Sequence, residues 1–434
     1  MQGPALSSTC AGLAALLTLG ACAPRVNPGD TEAETSASSE STQSESGAQE
    51  CIAELLVVDA DITTDTVWES CKTYILDRIV VVEGATLTID PGTEIRGRHG
   101  SSLVIEKDAM LIAAGTPDAP IVFTSDATED PRRGDWGGLV LLGNATTNIG
   151  TGQAEGFPVP RTYGGEDDSH SCGTLEYVRV EYAGIAIDVT LNAITFYACG
   201  SGTTVHHLQS HMGLDDGIEV FGGTFDMDHI VVTGAADDAI DLDQGYRGQL
   251  DFVFIHQDPD VGDNCFEVSN QGTDFAAEPR TEPDFCNATC VGSGAGGEKS
   301  KGLTVKEGAY GHWDSSIFVL ATNEATLLAD DATADEALAD NITLVNNYFF
   351  GNGEPTHNSE STTVDQPAWD MWVMDEARAN QAADPGLGSA DWGAPNVVPA
   401  NDVSASGACE TSYAGAVDPA GDDWTQASWI NYTP

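Results

Sequence analysis

The sequence predicts an all-β fold, a right-handed parallel β-helix (β-solenoid) closed by a cap at each end. Three observations carry that prediction. Short stretches of alternating apolar residues, separated by Gly, Asp and Pro, begin near residue 79, and no convincing amphipathic helix occurs before about residue 325. Ile194-Thr195-Phe196, Ile218-Glu219-Val220, Ile240-Asp241-Leu242 and Phe266-Glu267-Val268 follow one another at steps of 24, 22 and 26 residues, the length of one coil. Acidic positions recur at the same step. A sandwich or an up-and-down barrel does not need that recurrence, whereas a solenoid lays each strand about 4.8 Å above the last and stacks equivalent residues.

Taken in order, residues 1–21 read as a signal peptide. The apolar run Ala11 to Leu19 is too short to span a bilayer and is placed like the hydrophobic region of an export signal, although no Lys or Arg precedes it. Leu19-Gly20-Ala21-Cys22 resembles the lipobox of bacterial lipoproteins, which implies lipidation of Cys22 and, with Ala23 rather than Asp next to it, an outer-membrane or cell-surface address. The alternative is an ordinary cleaved signal with Cys22 a bystander. Residues 22–50, rich in Ser, Thr and Glu and free of aromatic residues, cannot bury enough surface to fold and read as a tether. Residues 51–78 are expected to form the N-terminal cap, 79–324 the coils, and 325–434 the last coils and a C-terminal cap packed by Trp369, Trp372, Trp392, Trp424 and Trp429.

Beyond Cys10 and Cys22 the chain carries Cys51, Cys71, Cys172, Cys199, Cys265, Cys286, Cys290 and Cys409. An even number in an exported chain points to disulfides, with Cys51–Cys71 and Cys172–Cys199 expected from the proximity of neighbouring coils. Cys286-x-x-x-Cys290 has metal-like spacing, but no second Cys or His pair follows at zinc-site distance.

A formal charge of −53, from 69 acidic against 16 basic residues, argues against nucleic acid or anionic lipid bound through a basic surface and favours cations and neutral or cationic polymers as partners. The acid is concentrated in "LDDGIEVFGGTFDMDHIVVTGAADDAIDLDQG", residues 214–245. With Ile218/Val220, Ile240/Leu242 and Phe266/Val268 facing inward, Glu219, Asp241 and Glu267 face outward in one column. Asp215/Asp216, Asp237/Asp238 and Asp263/Asn264 stack at the adjoining turn. Two carboxylates about 5 Å apart at an effective dielectric near 20 repel by roughly 3 kcal/mol. Bound cations, protonation of one member, or water and salt must relieve that repulsion. Calcium suits the first route, since it takes six to eight oxygen ligands. The metal candidates are therefore Asp215, Asp216, Glu219, Asp237, Asp238, Asp241, Asp243, Asp263 and Glu267. Raised carboxyl pKa values would instead suit an acid and base pair of a glycosidase.

"GATLTIDPGTEIRG", "AAGTPDAPIVFTS", "RRGDWGGLVLLGNA", "YGGEDDSHSCGTLEYVRVEYAG", the Asp-rich stretch above and "YAGAVDPAGDDWTQASW" resemble, in order, a family of bacterial cell-surface or secreted lipoproteins with a predicted right-handed parallel β-helix. That resemblance implies the fold and an envelope location, and implies no particular reaction. Departures from it are Cys172, Cys199 and the cysteine-bearing segment 271–300.

Two functions remain. The favoured one is a non-enzymatic, calcium-stabilised surface protein acting in adhesion, surface structure or glycan binding. The other is a carbohydrate-active β-helix enzyme, a polysaccharide lyase or glycoside hydrolase, working with Asp216, Asp238 or Asp241 and with His211 reaching Asp215 or Asp216, or with Arg247 beside the ladder. Arg179, Lys301 and Lys306 are the other basic groups near it, and the −53 field repels a polyanionic substrate. The paired Asp motifs resemble those of pectin-cleaving hydrolases, but no Gly-His-Gly or Arg-Ile-Lys follows on later coils.

Overall fold

The computed structural model describes residues 54–185, 191–294, 296–297 and 299–434. The expected signal segment, Cys22, the tether and Cys51 lie outside the described residues. Among those described, no helix is long and apolar enough to cross a membrane.

Parallel coils build two main sheets. The ten-stranded sheet runs in space from Ile79–Val82 through Leu139–Leu142, Ile218–Phe221 and Ile240–Asp243 to His357–Ser359, every neighbour parallel. Ile194 pairs with Ile218, Ile218 with Ile240 and Ile240 with Phe266, the register expected from the coil period. These residues and Phe196, Val220, Leu242 and Val268 have no exposed surface and fill the coil interior. Residues 54–76, expected as a cap, already contribute strands in parallel register: Glu54–Val58 pairs with Lys72–Leu76, and Thr66–Trp68 with Thr86–Ile89.

The sixteen-stranded sheet turns a corner at single residues. Tyr177, His207, His229, Phe252, Asn287, Ser315 and Asn346 stack on successive coils, and each holds a left-handed φ between 49° and 59°. One such residue bends the strand without breaking its ladder, and seven stacked copies hold a conformation that a lone non-glycine residue avoids. The bend also changes side-chain parity. Val205 and Leu208 are buried while both residues between them face outward, and Met227, Asp228, His229 and Ile230 repeat that pattern. At another corner Gly223 has φ 96°, and a Cβ there would lie 2.2 Å from the Cys199 carbonyl oxygen.

The C-terminal end is plugged by helix α1 (Gln366–Val373), whose Trp369 joins the core and donates its indole N–H to Thr326 Oγ1 at 3.1 Å. Trp372 stacks on Trp369. Asp365 caps the helix by accepting from Ala368 N. Asp365→Ala is expected to cost about 1 kcal/mol, read as a lower urea midpoint at unchanged slope.

The other three tryptophans correct the expectation of a Trp-packed end. Residues beyond about 381 fold back as a strap along the outer face of the sixteen-stranded sheet, where Val397, Val403, Val417 and Trp429 pack on Val231, Phe254, Val291 and Ile317. The strap reaches far down the solenoid, because Arg179 Nη1 donates to the Trp429 carbonyl at 2.7 Å and Ser428 Oγ to that of Pro117 at 3.3 Å.

Three disulfides lie wholly among the described residues. Cys172–Cys199 is the expected pair, Cys265–Cys290 crosses the coil interior, and Cys286–Cys409 fastens the strap. Cys286 and Cys290 thus have different partners, which removes them as zinc ligands. Cys71 is disulfide-bonded, and its expected partner Cys51 is among the residues not described.

Candidate metal centre

Two acidic columns run side by side on the outer face of the ten-stranded sheet. In the first, Asn192, Asp216, Asp238 and Asn264 stack through backbone bonds between coils. In the second, Thr195, Glu219, Asp241, Glu267 and Thr304 occupy one register position. Both columns therefore begin and end in uncharged hydrogen-bonding residues, and the carboxylates are confined to three coils.

Outward from the coil proves not to mean exposed. Asp216, Glu219 and Asp238 keep 8%, 8% and 6% of their surface. On the N-terminal side the hairpin formed by Gly152–Ala154 and Arg161–Tyr163 lies over the sheet, burying Tyr163 and Tyr197 in an apolar cluster beside Phe221. Tyr163 Oη donates to Gln244 at 2.8 Å. Tyr197 stacks on Phe221 at 4.7 Å and meets Tyr163 tilted at 4.5 Å, so these rings pack on one another and do not present an open platform for a sugar.

Hydrogen bonds tie the columns together. Asp238 N donates to Asp216 Oδ1 at 2.9 Å, and Asn264 donates to Asp238 Oδ1 from both its backbone and its amide at 2.7 Å. The same amide reaches Glu267 Oε2 at 3.2 Å, Thr304 Oγ1 donates to Asn264 Oδ1 at 2.6 Å, and Asn192 donates to Glu219. On the C-terminal side Lys306 pairs with Glu267, and Lys301 with Asp263 at 3.1 Å.

These partners do not neutralise the columns. Oxygens of Asp216, Glu219 and Asp241 lie within 4.8 Å of one another, as do those of Asp238, Asp241 and Glu267. At the turn, Asp215/Asp216/Asp237 and Asp237/Asp238/Asp263 form two further groups of the same size. Asp241 is the vertex shared by the first two, and its Oδ1 is buried with no hydrogen-bond partner.

Burial first, and neighbouring carboxylates second, hold Asp216, Glu219, Asp238 and Asp241 well above the usual carboxylate range. Burial pushes Asp243 up to about 7 despite the N–H it accepts from Gln244. Burial acts to lower the Lys306 ammonium, but Glu267 outweighs it and raises that pKa. Lys306 is therefore a fixed counter-charge and poorly suited to act as a base.

The other expected participants are elsewhere. His211 lies on the sixteen-stranded sheet, its ring nitrogens facing Thr233 Oγ1 at 2.7 Å and the Thr433 carbonyl at 3.0 Å, not Asp215 or Asp216. The sequence places His206, His207, His229 and His256 in the ladder region, but the sheets alternate along the chain and all four sit on the opposite wall. Arg247 binds Thr146 Oγ1 at 2.6 Å and lies 3.5 Å from Asp168, at a different corner. Sequence reasoning missed Glu155, which the hairpin brings close enough to Glu219 and Asp215 to raise their mutual repulsion. No spacing rule signals it, since it comes from an insertion about 60 residues earlier.

The sequence profile of the family described as the pectate-lyase like β-helix domain matches residues 60–396. No curated protein and no solved structure matches the chain. The matched residues span the stacked coils from the Thr66–Trp68 strand to beyond the Gln366–Val373 helix, so the chain belongs to the pectate-lyase-like β-helix domain family.

Proposed function

We propose that the acidic columns bind calcium, with neighbouring ions sharing Asp241, and that the protein is an exported, lipid-anchored β-helix of the outer membrane or cell surface serving adhesion, surface structure or glycan binding. Asp241 carries the cation reading: a buried, unpartnered carboxylate oxygen between two oxygen triads wants a cation more than any proton donor nearby can supply. The donor set is all oxygen, which suits a hard ion. Calcium's tolerance of six to eight ligands in loose geometry fits a stacked array better than magnesium's strict octahedron. Glu219, Asp216, Asp238 and Glu267 would complete the first ions, with Asp215, Asp237 and Asp263 at the turn.

Membership in a family described as pectate-lyase-like supports a carbohydrate-related role and keeps the carbohydrate-active enzyme as the second reading. The residues favour the binding role, since Lys306 is tied to Glu267, Arg247 faces Asp168, and Tyr163 and Tyr197 beside the ladder are buried. Calorimetric titration of chelator-treated protein should show saturable calcium binding that Asp241→Asn weakens sharply. A screen of acidic and neutral polysaccharides should show no cleavage. Reproducible cleavage lost in Asp241→Asn would replace the binding reading with the enzymatic one. Separately, Cys22→Ser should move the protein from the membrane to the soluble fraction; an unchanged membrane fraction would remove the lipid anchor.

A further inference from the structure

The left-handed corner creates a second cluster of a different chemical kind. In a regular strand His206 and His207 would point to opposite faces. Because His207 has φ 55°, both imidazoles project outward, and their Nδ1 atoms stand 3.0 Å apart. One coil on, the same bend at His229 turns Asp228 and His229 outward together, and Asp228 pairs in register beside His206. Ligand atoms of His206, His207 and Asp228 all lie within 4.8 Å of one another.

From this placement we infer that His206, His207 and Asp228 form a site for a late first-row divalent transition ion such as Zn2+, Ni2+ or Cu2+. Ligands of a tetrahedral ion at about 2.1 Å stand roughly 3.4 Å apart, so a set already within 4.8 Å closes through small rotations of partly exposed side chains. Two imidazoles and one carboxylate suit Zn2+, Ni2+ or Cu2+ rather than Ca2+.

The surroundings are those of a metal ligand set. His206 uses Nδ1 toward the cluster, and its Nε2 stands 3.6 Å from Glu176 Oε1, just outside hydrogen-bond reach and placed to become the carboxylate partner that orients a metal-binding histidine. His229 stacks on His207 with ring centres 4.5 Å apart and hydrogen-bonds Asp228 Oδ1 at 2.8 Å, fixing both. Trp429 of the strap stands edge-on to His207 at 5.8 Å. On the opposite side Thr204, Asp226, Gln249 and Asp251 line a surface cleft that reaches His206 and Asp228, leaving the ion open to solvent or a further ligand. This site does not depend on the calcium reading.

The test uses the full chain, freed of metal by a chelator and then held in millimolar Ca2+ to saturate the carboxylate columns. Titration with ZnCl2 should show one tight equivalent per chain by calorimetry, and NiCl2 or CuCl2 should quench tryptophan emission over the same equivalent. Glu176→Gln should weaken binding about 10–100-fold. Asp228→Asn, an isosteric change at a half-exposed residue, and His206→Gln should each abolish the tight phase at unchanged melting temperature. Trp429→Phe should keep the calorimetric equivalent and lose most of the quench. Absence of a tight equivalent in the wild type, or its survival in the His206→Gln/Asp228→Asn protein, would overturn the assignment.

Discussion

Without calcium, the acidic columns are expected to make the protein more stable as pH falls from about 8, the reverse of ordinary acid denaturation, until below about pH 6.5 the His207, His211, His256 and His357 imidazoles, lowered by burial to about 4, oppose the gain. The sign follows from the columns. Asp216, Glu219, Asp238 and Asp241 are held well above the usual range, and Asp243 is pushed up to about 7. Carboxylates of the unfolded chain titrate near 4, so from roughly pH 4 to 7 these carboxyls bind more protons in the folded protein than in the unfolded one. Stability from such groups is fully present below the unfolded pKa and is lost as pH rises through the folded one. The higher the pH, the more of that stabilising protonation the buried, metal-free columns lose.

Calcium should restore that loss. At free calcium near 100 times Kd, each independent site adds about 2.7 kcal/mol, several degrees in melting temperature for a body of this size. Protons and calcium compete for the same oxygens, so the gain should be large at pH 8 and small at pH 5. Asp241→Asn keeps the shape and removes the shared charge; it should melt higher than wild type in EDTA at pH 8 and gain much less from calcium. Thermal unfolding at pH 5 and 8, in EDTA or calcium, measures all of this. Equal calcium gains at both pH values, or in wild type and Asp241→Asn, would sink the cation reading. If about 1 M NaCl alone raised both proteins equally, the columns would be an acidic face relieved by screening.

How much of this could be read from sequence follows from what each feature depends on. The interior rows Ile194, Ile218, Ile240 and Phe266 were legible because strand parity is local and the coil step is nearly constant. Cys172–Cys199 was legible for the same reason, as its ends lie on adjacent stretches of chain. The corner at Tyr177, His207 and His229 was not, because a left-handed turn made by tyrosine or histidine has no glycine to announce it. Parity fails there, and with it any view of His206 beside His207. Glu219, Asp241 and Glu267 stack in the register that the coil step implies, but the cover at the N-terminal side of the stack comes from the 152–163 hairpin, an insertion whose docking no periodicity encodes. The folded-back strap was hidden too, since its apolar residues are scattered and its contacts span most of the chain.

That strap carries the other large expectation. Cys286–Cys409 closes a loop of 123 residues, against 27 and 25 for Cys172–Cys199 and Cys265–Cys290. Loop-closure entropy makes it worth on the order of 5 kcal/mol, compared with about 3.5 for each of the others. The loss should be local before it is global. The coils keep their ladders and their core, while the strap keeps only its apolar contacts and a few bonds such as that from Asn287 Nδ2 to the Tyr413 carbonyl at 2.8 Å. In Cys286→Ala/Cys409→Ala protein the strap should therefore detach below the main transition. Tryptophan emission should shift to the red as Trp424 and Trp429 enter water, ahead of the loss of β circular dichroism, and limited proteolysis should cut within residues 385–434. Wild type should give coincident transitions by both probes. Coincident transitions in the double variant as well, at an unchanged midpoint, would mean that the cluster around Val231, Phe254 and Trp429 holds the strap without its staple. Early detachment would also uncover His207, so the quench produced by Ni2+ or Cu2+ should vanish with the strap while the Zn2+ equivalent on His206, His207 and Asp228 persists.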